Sequence, residues 1–173
     1  MRAAIAAALV VALFGCTTQP EAGAFQGDAN VIAGFATVVD GDGLEIGGAK
    51  IRLFGIDAFE AGQYCTRGNG TRWRCGHHAT VALDHLVAGE RVSCVVRDRD
   101  RYARLVAVCK VGGRDLAAAL AHDGWALAYR KFSTDYVNDE QVAERAKAGA
   151  WVGRFEAPWA WRDRMRRAGS ESR

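Results

Sequence analysis

Residues Val31–Glu60 read VIAGFATVVDGDGLEIGGAKIRLFGIDAFE, short apolar runs punctuated by glycine. Val31–Val39, Leu44–Ile46 and Lys50–Ile56 have the composition and alternation of β-strands, and Gly47-Gly48 supplies a tight turn between the last two. Further along, Ala61–Arg72 reads as loop. Gly76–Val87 has helical spacing at Ala79, Ala82, Leu83 and Leu86, and stops before Gly89. Two more strands, Arg91–Val96 and Leu105–Val111, flank a polar turn. A second helix is expected from Asp115 to Asp123, then an apolar stretch Trp125–Tyr129, then a third helix from Ser133 or Thr134 to Gly149. Five short strands interrupted by one helix predict an α+β protein, a five-stranded Greek-key barrel of the OB type with about three helices. Fold alone leaves the activity open.

The 173 residues are enough for one domain with appendages. Half are hydrophobic and a quarter charged, an ordinary globular composition. Between Arg162 and Arg173 five arginines face two acids, which accounts for the whole net charge of +3. The body is therefore near neutral, and any attraction to a polyanion must be local. Residues 1–16 read as a signal peptide: Arg2, an apolar run Ala3–Phe14, then Leu13-Phe14-Gly15-Cys16, which resembles a lipoprotein box with Cys16 as the lipidated residue. Ordinary cleavage after Ala22-Gly23-Ala24 and a retained helix are the alternatives. Residues 17–30 read as a flexible tether, 31–155 as the folded domain, and 156–173 as a basic Trp- and Arg-rich tail. Each reading puts the folded part outside the cytoplasm, in the bacterial envelope or secreted.

Cysteine usage agrees with export. Apart from Cys16, four cysteines remain, and an even count in an exported domain indicates two disulfides. Partners in an antiparallel hairpin keep a constant index sum, and Cys94 and Cys109 centre between Arg101 and Tyr102, inside the polar turn. That pairing leaves Cys65–Cys75 to close a Gly- and Arg-rich loop. Free buried thiols are the alternative; with no CxxC pair, a zinc site is disfavoured.

The chemistry sits in Asp40-Gly41-Asp42, Arg52, Asp57-Ala58-Phe59-Glu60 and Tyr102-Ala103-Arg104. Carboxylates on β-type segments can converge on a hard cation, since Ca²⁺ and Mg²⁺ take oxygen ligands. Two arginines supply bidentate forks for a phosphate. A carboxylate left unligated can act as general base on water. Together these residues are the equipment for breaking a phosphodiester. Taken singly, Asp42 is a turn residue, Glu60 a solvated loop carboxylate and Arg104 one member of a basic turn with Arg97, Arg99 and Arg101.

From Asp40 to Trp151 the chain resembles the thermonuclease family, the staphylococcal nuclease-like proteins. The resemblance rests on the Asp-Gly-Asp turn, Arg52-Leu53-x-Gly55-Ile56-Asp57 leading to Glu60, Tyr102-x-Arg104, and Leu120-x-x-x-Gly124. The closing part, through Tyr136-Val137, Gly149-Ala150-Trp151 and Pro158-Trp159-x-Trp161-Arg162, looks like an exported bacterial branch. The resemblance implies a Ca²⁺-dependent nuclease cutting DNA and/or RNA. It implies Asp42, Asp57 and the Ala58 backbone carbonyl as metal ligands, Glu60 as general base, Arg52 and Arg104 on the scissile phosphate, and Tyr102 and Tyr129 beside the nucleotide. Gly43 and Phe59 depart from the family pattern, and both changes are expected to loosen the backbone around the ligands.

His77, His78, His85 and His122 have no ligand-like partners in sequence. Trp125, Trp151, Trp159 and Trp161 read as core or tail anchors, and the basic tail as a frayed helix able to touch nucleic acid or anionic lipid. The expected partners are a nucleic-acid substrate and, through Cys16, a membrane, with the protein itself a monomer. Two other classes stay open: a catalytically silent nucleic-acid-binding barrel, and an envelope lipoprotein that holds a protein or polysaccharide.

Overall fold

The computed structural model describes residues 30–171; the signal segment, Cys16 and nearly all of the tether lie outside the described residues. The elements run β1 (Val31–Val38), β2 (Gly43–Ile46), β3 (Ala49–Leu53), β4 (Ile56–Ala58), β5 (Cys65–Arg67), β6 (Arg72–Trp73) and α1 (Cys75–Val87). Then come β7 (Arg91–Arg99), β8 (Leu105–Val111), β9 (Arg114–Asp115), α2 (Leu116–His122), β10 (Ala126–Ala128) and α3 (Val137–Ala146). A 3₁₀ turn (Gly149–Val152), β11 (Gly153–Arg154) and α4 (Pro158–Glu171) complete the order.

The main sheet runs β3-β2-β1-β7-β8-β9, and a parallel pairing of β3 with β8 closes its first five strands into a barrel. Gly47 and Gly48, at φ +56° and +81°, make the β2–β3 turn, which needs left-handed backbone at both positions. On β1 the exposure alternates residue by residue, the signature of a strand with one face turned inward. The core is filled by Leu44, Ile51, Leu53, Val92, Cys94, Ala107 and Cys109 from the barrel and by Leu83, Leu116 and Leu120 from the helices.

Both expected disulfides are present. Cys94 and Cys109 are cross-strand partners with Cα atoms 4.0 Å apart, and Cys65 joins Cys75 with Cα atoms 5.6 Å apart. Such bonds fit an oxidising, extracytoplasmic compartment.

Four differences from the sequence reading bear on the site. The Ala61–Arg72 loop contains β5 and the start of β6, which pair with each other, and β11 pairs with β5 on its other side. Trp125–Tyr129 contains β10, paired with β4 so that Leu127 faces Asp57. The third helix begins at Val137, after the expected Ser133 or Thr134. Residues before it form turns, and Tyr136 is buried with its hydroxyl donating to Asp115 at 3.2 Å. The tail is a fourth helix, α4. Pro158 opens it where a missing N–H costs nothing, and its first turn docks on the body.

Candidate active site

A cavity of about 730 Å³ opens on the barrel. Asp42, Arg52, Ala58, Glu60, Tyr102, Arg104 and Tyr129 all line it, though Asp42 and Tyr129 are 87 positions apart. Asp57 lies just behind, fully buried on β4. The candidate metal, catalytic and nucleotide-side residues of the Asp40–Tyr129 stretch thus gather at one place.

Local structure explains the convergence. Asp42 closes the β1–β2 turn, where its N–H donates to Asp40 Oδ1 at 3.2 Å and its carbonyl accepts the Leu53 N–H at 2.8 Å. Gly43 pairs with Arg52 across β2 and β3, and a Cβ there would lie 2.6 Å from Asp40 Oδ1. The Arg52 guanidinium then bridges two acids, with Nη1 2.9 Å from Asp42 Oδ1 and Nη2 2.6 Å from Asp57 Oδ1. The second Asp42 oxygen accepts the Ala58 N–H at 3.0 Å. Burial pushes the Asp42 carboxyl up to about 7, against the downward pull of Arg52.

Glu60 follows β4 and is held by its backbone. Its N–H donates to Gln63 Oε1 at 3.2 Å and its carbonyl accepts the Gln63 N–H at 2.7 Å. Phe59, expected to loosen this segment, does the opposite. It is buried and meets Phe155 edge-on with ring centres 5.0 Å apart, so the aromatic ring anchors the chain in the core. Gly43 likewise sits tightly against Asp40, because that approach leaves no room for a side chain.

Arg104 lines the cavity from the residue just before β8. Its Nε and Nη2 both lie 2.8 Å from Asp100 Oδ2. Burial of Asp100 works against its charge, but hydrogen bonds from Arg104 and from the Tyr102 N–H hold its carboxyl below the usual range. Tyr102 is largely exposed at the rim, and Tyr129 stacks on Trp159 with ring centres 5.3 Å apart and planes 2° from parallel.

Sequence reasoning missed Arg162. From α4 it grips Asp57 with two bonds, Nη1–Oδ1 at 2.9 Å and Nη2–Oδ2 at 2.7 Å, and reaches Glu60 Oε1 at 2.5 Å. A contact spanning 105 positions leaves no local trace; the signal in the chain was the run Pro158-Trp159-x-Trp161-Arg162, which ties two aromatic anchors to one cation. The tail is therefore a wall of the site.

A match to the profile described as staphylococcal nuclease homologue covers residues 50–153. The chain belongs to the staphylococcal nuclease family. Among relatives, it is 36% identical over 131 residues to the succinoglycan biosynthesis protein ExoI of Rhizobium meliloti (strain 1021), covering 72% of this chain and 67% of that one. It is 32% identical to an uncharacterized endonuclease of Escherichia coli O157:H7, covering 73% and 82%. It is 30% identical to the probable staphylococcal-like nuclease CAN1 of Oryza sativa subsp. japonica, covering 75% of this chain but 38% of the rice protein. The profile ends before α4, so Arg162 lies outside the matched segment.

The family implies a calcium ion. Among the described residues no three His, Cys, Asp or Glu side chains form a ready-made cage. The donor chemistry still fits, because Asp42, Asp57 and the Ala58 carbonyl offer hard oxygens only. A buried carboxyl whose charge is disfavoured is one that a nearby cation would hold ionised.

Proposed function

We propose that the protein is an exported, Ca²⁺-dependent nuclease that hydrolyses phosphodiesters of DNA and/or RNA. The observation that carries this reading is the gathering of Glu60, Arg52, Arg104 and the Asp42–Asp57 pair around one cavity. Asp42, Asp57 and the Ala58 carbonyl would hold the ion, which when bound supplies Lewis-acid stabilisation of a phosphate oxygen. Glu60 takes a proton from water as the water oxygen bonds to phosphorus. One P–O bond to sugar breaks, and that oxygen leaves with a proton from solvent. Arg52 and Arg104 donate to the phosphate oxygens from opposite walls, where charge accumulates in the transition state. Tyr102 and Tyr129 offer aromatic faces to the neighbouring bases.

The N-terminal segment and the two disulfides support export, either lipid-anchored through Cys16 and facing the periplasm or secreted, with the folded part a monomer. A digestion assay on linear DNA and on RNA, with calcium and then with a chelator, tests the proposal. Cleavage that needs calcium and is lost in Glu60→Ala supports it; intact substrate under every condition sinks it. The relative named for succinoglycan biosynthesis favours a second reading, an envelope protein serving polysaccharide assembly. That reading predicts no cleavage and no stabilisation by calcium in a thermal melt.

A further inference from the structure

We propose that Arg162 is a substrate-phosphate-binding residue held in reserve by Asp57 and Glu60, and freed for the nucleic acid when a divalent cation engages Asp57. The inference rests on the nuclease reading above and assigns a role to a helix outside the family segment.

Asp57 cannot serve both partners fully. Asp57 gives Oδ2 to Arg162 Nη2, and shares Oδ1 between Arg162 Nη1 and Arg52 Nη2. Glu60 Oε1 is taken by Arg162 as well. Each oxygen has few lone-pair directions, so cation ligation and the Arg162 fork compete for the same ones.

Charge decides which guanidinium yields. With all three acids ionised, Asp42, Asp57 and Glu60 against Arg52 and Arg162 leave one unit of negative charge. A divalent cation turns that deficit into an excess of one, and one arginine becomes superfluous. The Arg52 side chain is 16% exposed and also donates to the Ile56 carbonyl. Arg162 is 30% exposed on a long side chain reaching in from a surface helix, so it leaves at lower cost.

The exit is already basic. Arg162 borders both the main cavity and an adjoining groove of about 560 Å³, which Arg101, Lys131 and Arg166 also line. The one acid in that groove, Asp163, is paired with Arg166. Only the side chain has to move. Helix α4 is pinned independently by the Trp159–Tyr129 stack, by buried Pro158 and by Gln63 Nε2 donating to the Glu156 carbonyl at 2.7 Å.

The test uses the metal-free full chain and its Arg162→Gln variant, with folding of each checked by a thermal melt in chelator. Calcium is titrated by calorimetry without nucleic acid. Removing the competitor should tighten calcium binding about 5-fold or more, the usual lower range of a coupling between sites. At saturating calcium, anisotropy of a labelled, cleavage-resistant phosphorothioate oligonucleotide should show about 10-fold weaker binding, the loss of a charge-assisted phosphate contact. Arg162→Lys, which keeps the charge, should recover part of that loss. A purely structural Arg162 would not tighten calcium binding. Unchanged or weaker calcium affinity in Arg162→Gln, or unchanged oligonucleotide affinity, overturns the inference. If the wild type binds calcium and cuts while the variant matches it in both titrations, only this inference falls. If the wild type neither binds calcium nor cuts, both readings fall.

Discussion

Arg52 and Asp57 meet at 2.6 Å, and the same guanidinium holds Asp42 at 2.9 Å with its other nitrogen. Strand β3 thereby shares one cation between two carboxylates that are buried on separate segments. A fold that gathers acids for chemistry must also stabilise them when no substrate is bound, and Arg52 does so from inside the barrel wall. Arg52→Ala should therefore act twice. It leaves two buried carboxylates short of a partner, with an expected loss of about 3–5 kcal/mol in urea denaturation. It should also cut the nuclease rate by on the order of 10²-fold or more. Glu60→Ala separates the effects. Its side chain is 31% exposed, so stability should move by less than about 1 kcal/mol while the rate falls by on the order of 10²-fold. Arg104→Ala should lower the rate comparably. Normal rates in all three variants would exclude the proposed chemistry.

The Cys94–Cys109 bond locks β7 to β8 near the base of the hairpin whose tip carries Tyr102 and Arg104. It closes a loop with a sequence separation of 15, which in the chain-entropy account stabilises by about 3 kcal/mol. The double variant Cys94→Ala/Cys109→Ala should lose about that much in urea melts. A loss below about 1 kcal/mol would mean that the hairpin is held by its ladder alone.

This hairpin was readable from the chain because its information is local. Cys94 and Cys109 share the index sum of the ladder, as Gly47-Gly48 dictates the β2–β3 turn. The acids and arginines were readable for a different reason, since motif spacing carried them. What stayed hidden was long-range or without periodicity. The Trp125–Tyr129 run is apolar on both faces and only becomes a strand because β4 offers it a partner. Tyr136 delays α3 by burying itself against Asp115, a contact 21 positions away. Arg162 is a polar residue in a basic tail, and only the Pro158-Trp159-x-Trp161 run before it sets it apart from Arg164 and Arg166. Only the docking of Trp159 on Tyr129 places it among the acids.

Asp42 gives stability a defined pH dependence in the metal-free protein. Burial raises its carboxyl from the ordinary 3.8 to about 7, with Arg52 opposing. Between those values the folded chain binds more proton than the unfolded chain, so this group stabilises the fold fully below about pH 4 and loses that contribution as pH rises toward 7. Asp42→Asn removes the titration. In chelator, the wild type should gain stability relative to the variant as pH falls from about 7.5 to 4.5. A constant difference across that range would show that Asp42 is ionised throughout.

Gly76 places Glu60 without touching substrate. It is the second residue of α1, and a Cβ on it would lie 1.6 Å from the Glu60 carbonyl oxygen and 2.4 Å from the carbonyl carbon. Backbone meets backbone there, so no side chain can swing aside to make room. Gly76→Ala must push α1 and the Glu60 segment apart, although Gln63 clamps that segment on its other side. Overpacking of this kind should cost about 1–3 kcal/mol of stability. A shift of about 1 Å in a general base can cost on the order of 10² in rate. The expected signature is a folded variant whose rate falls toward that of Glu60→Ala while calcium affinity, which depends on Asp42 and Asp57, stays near wild type. A folded Gly76→Ala enzyme with wild-type rate would show that the α1 contact does not set the position of Glu60.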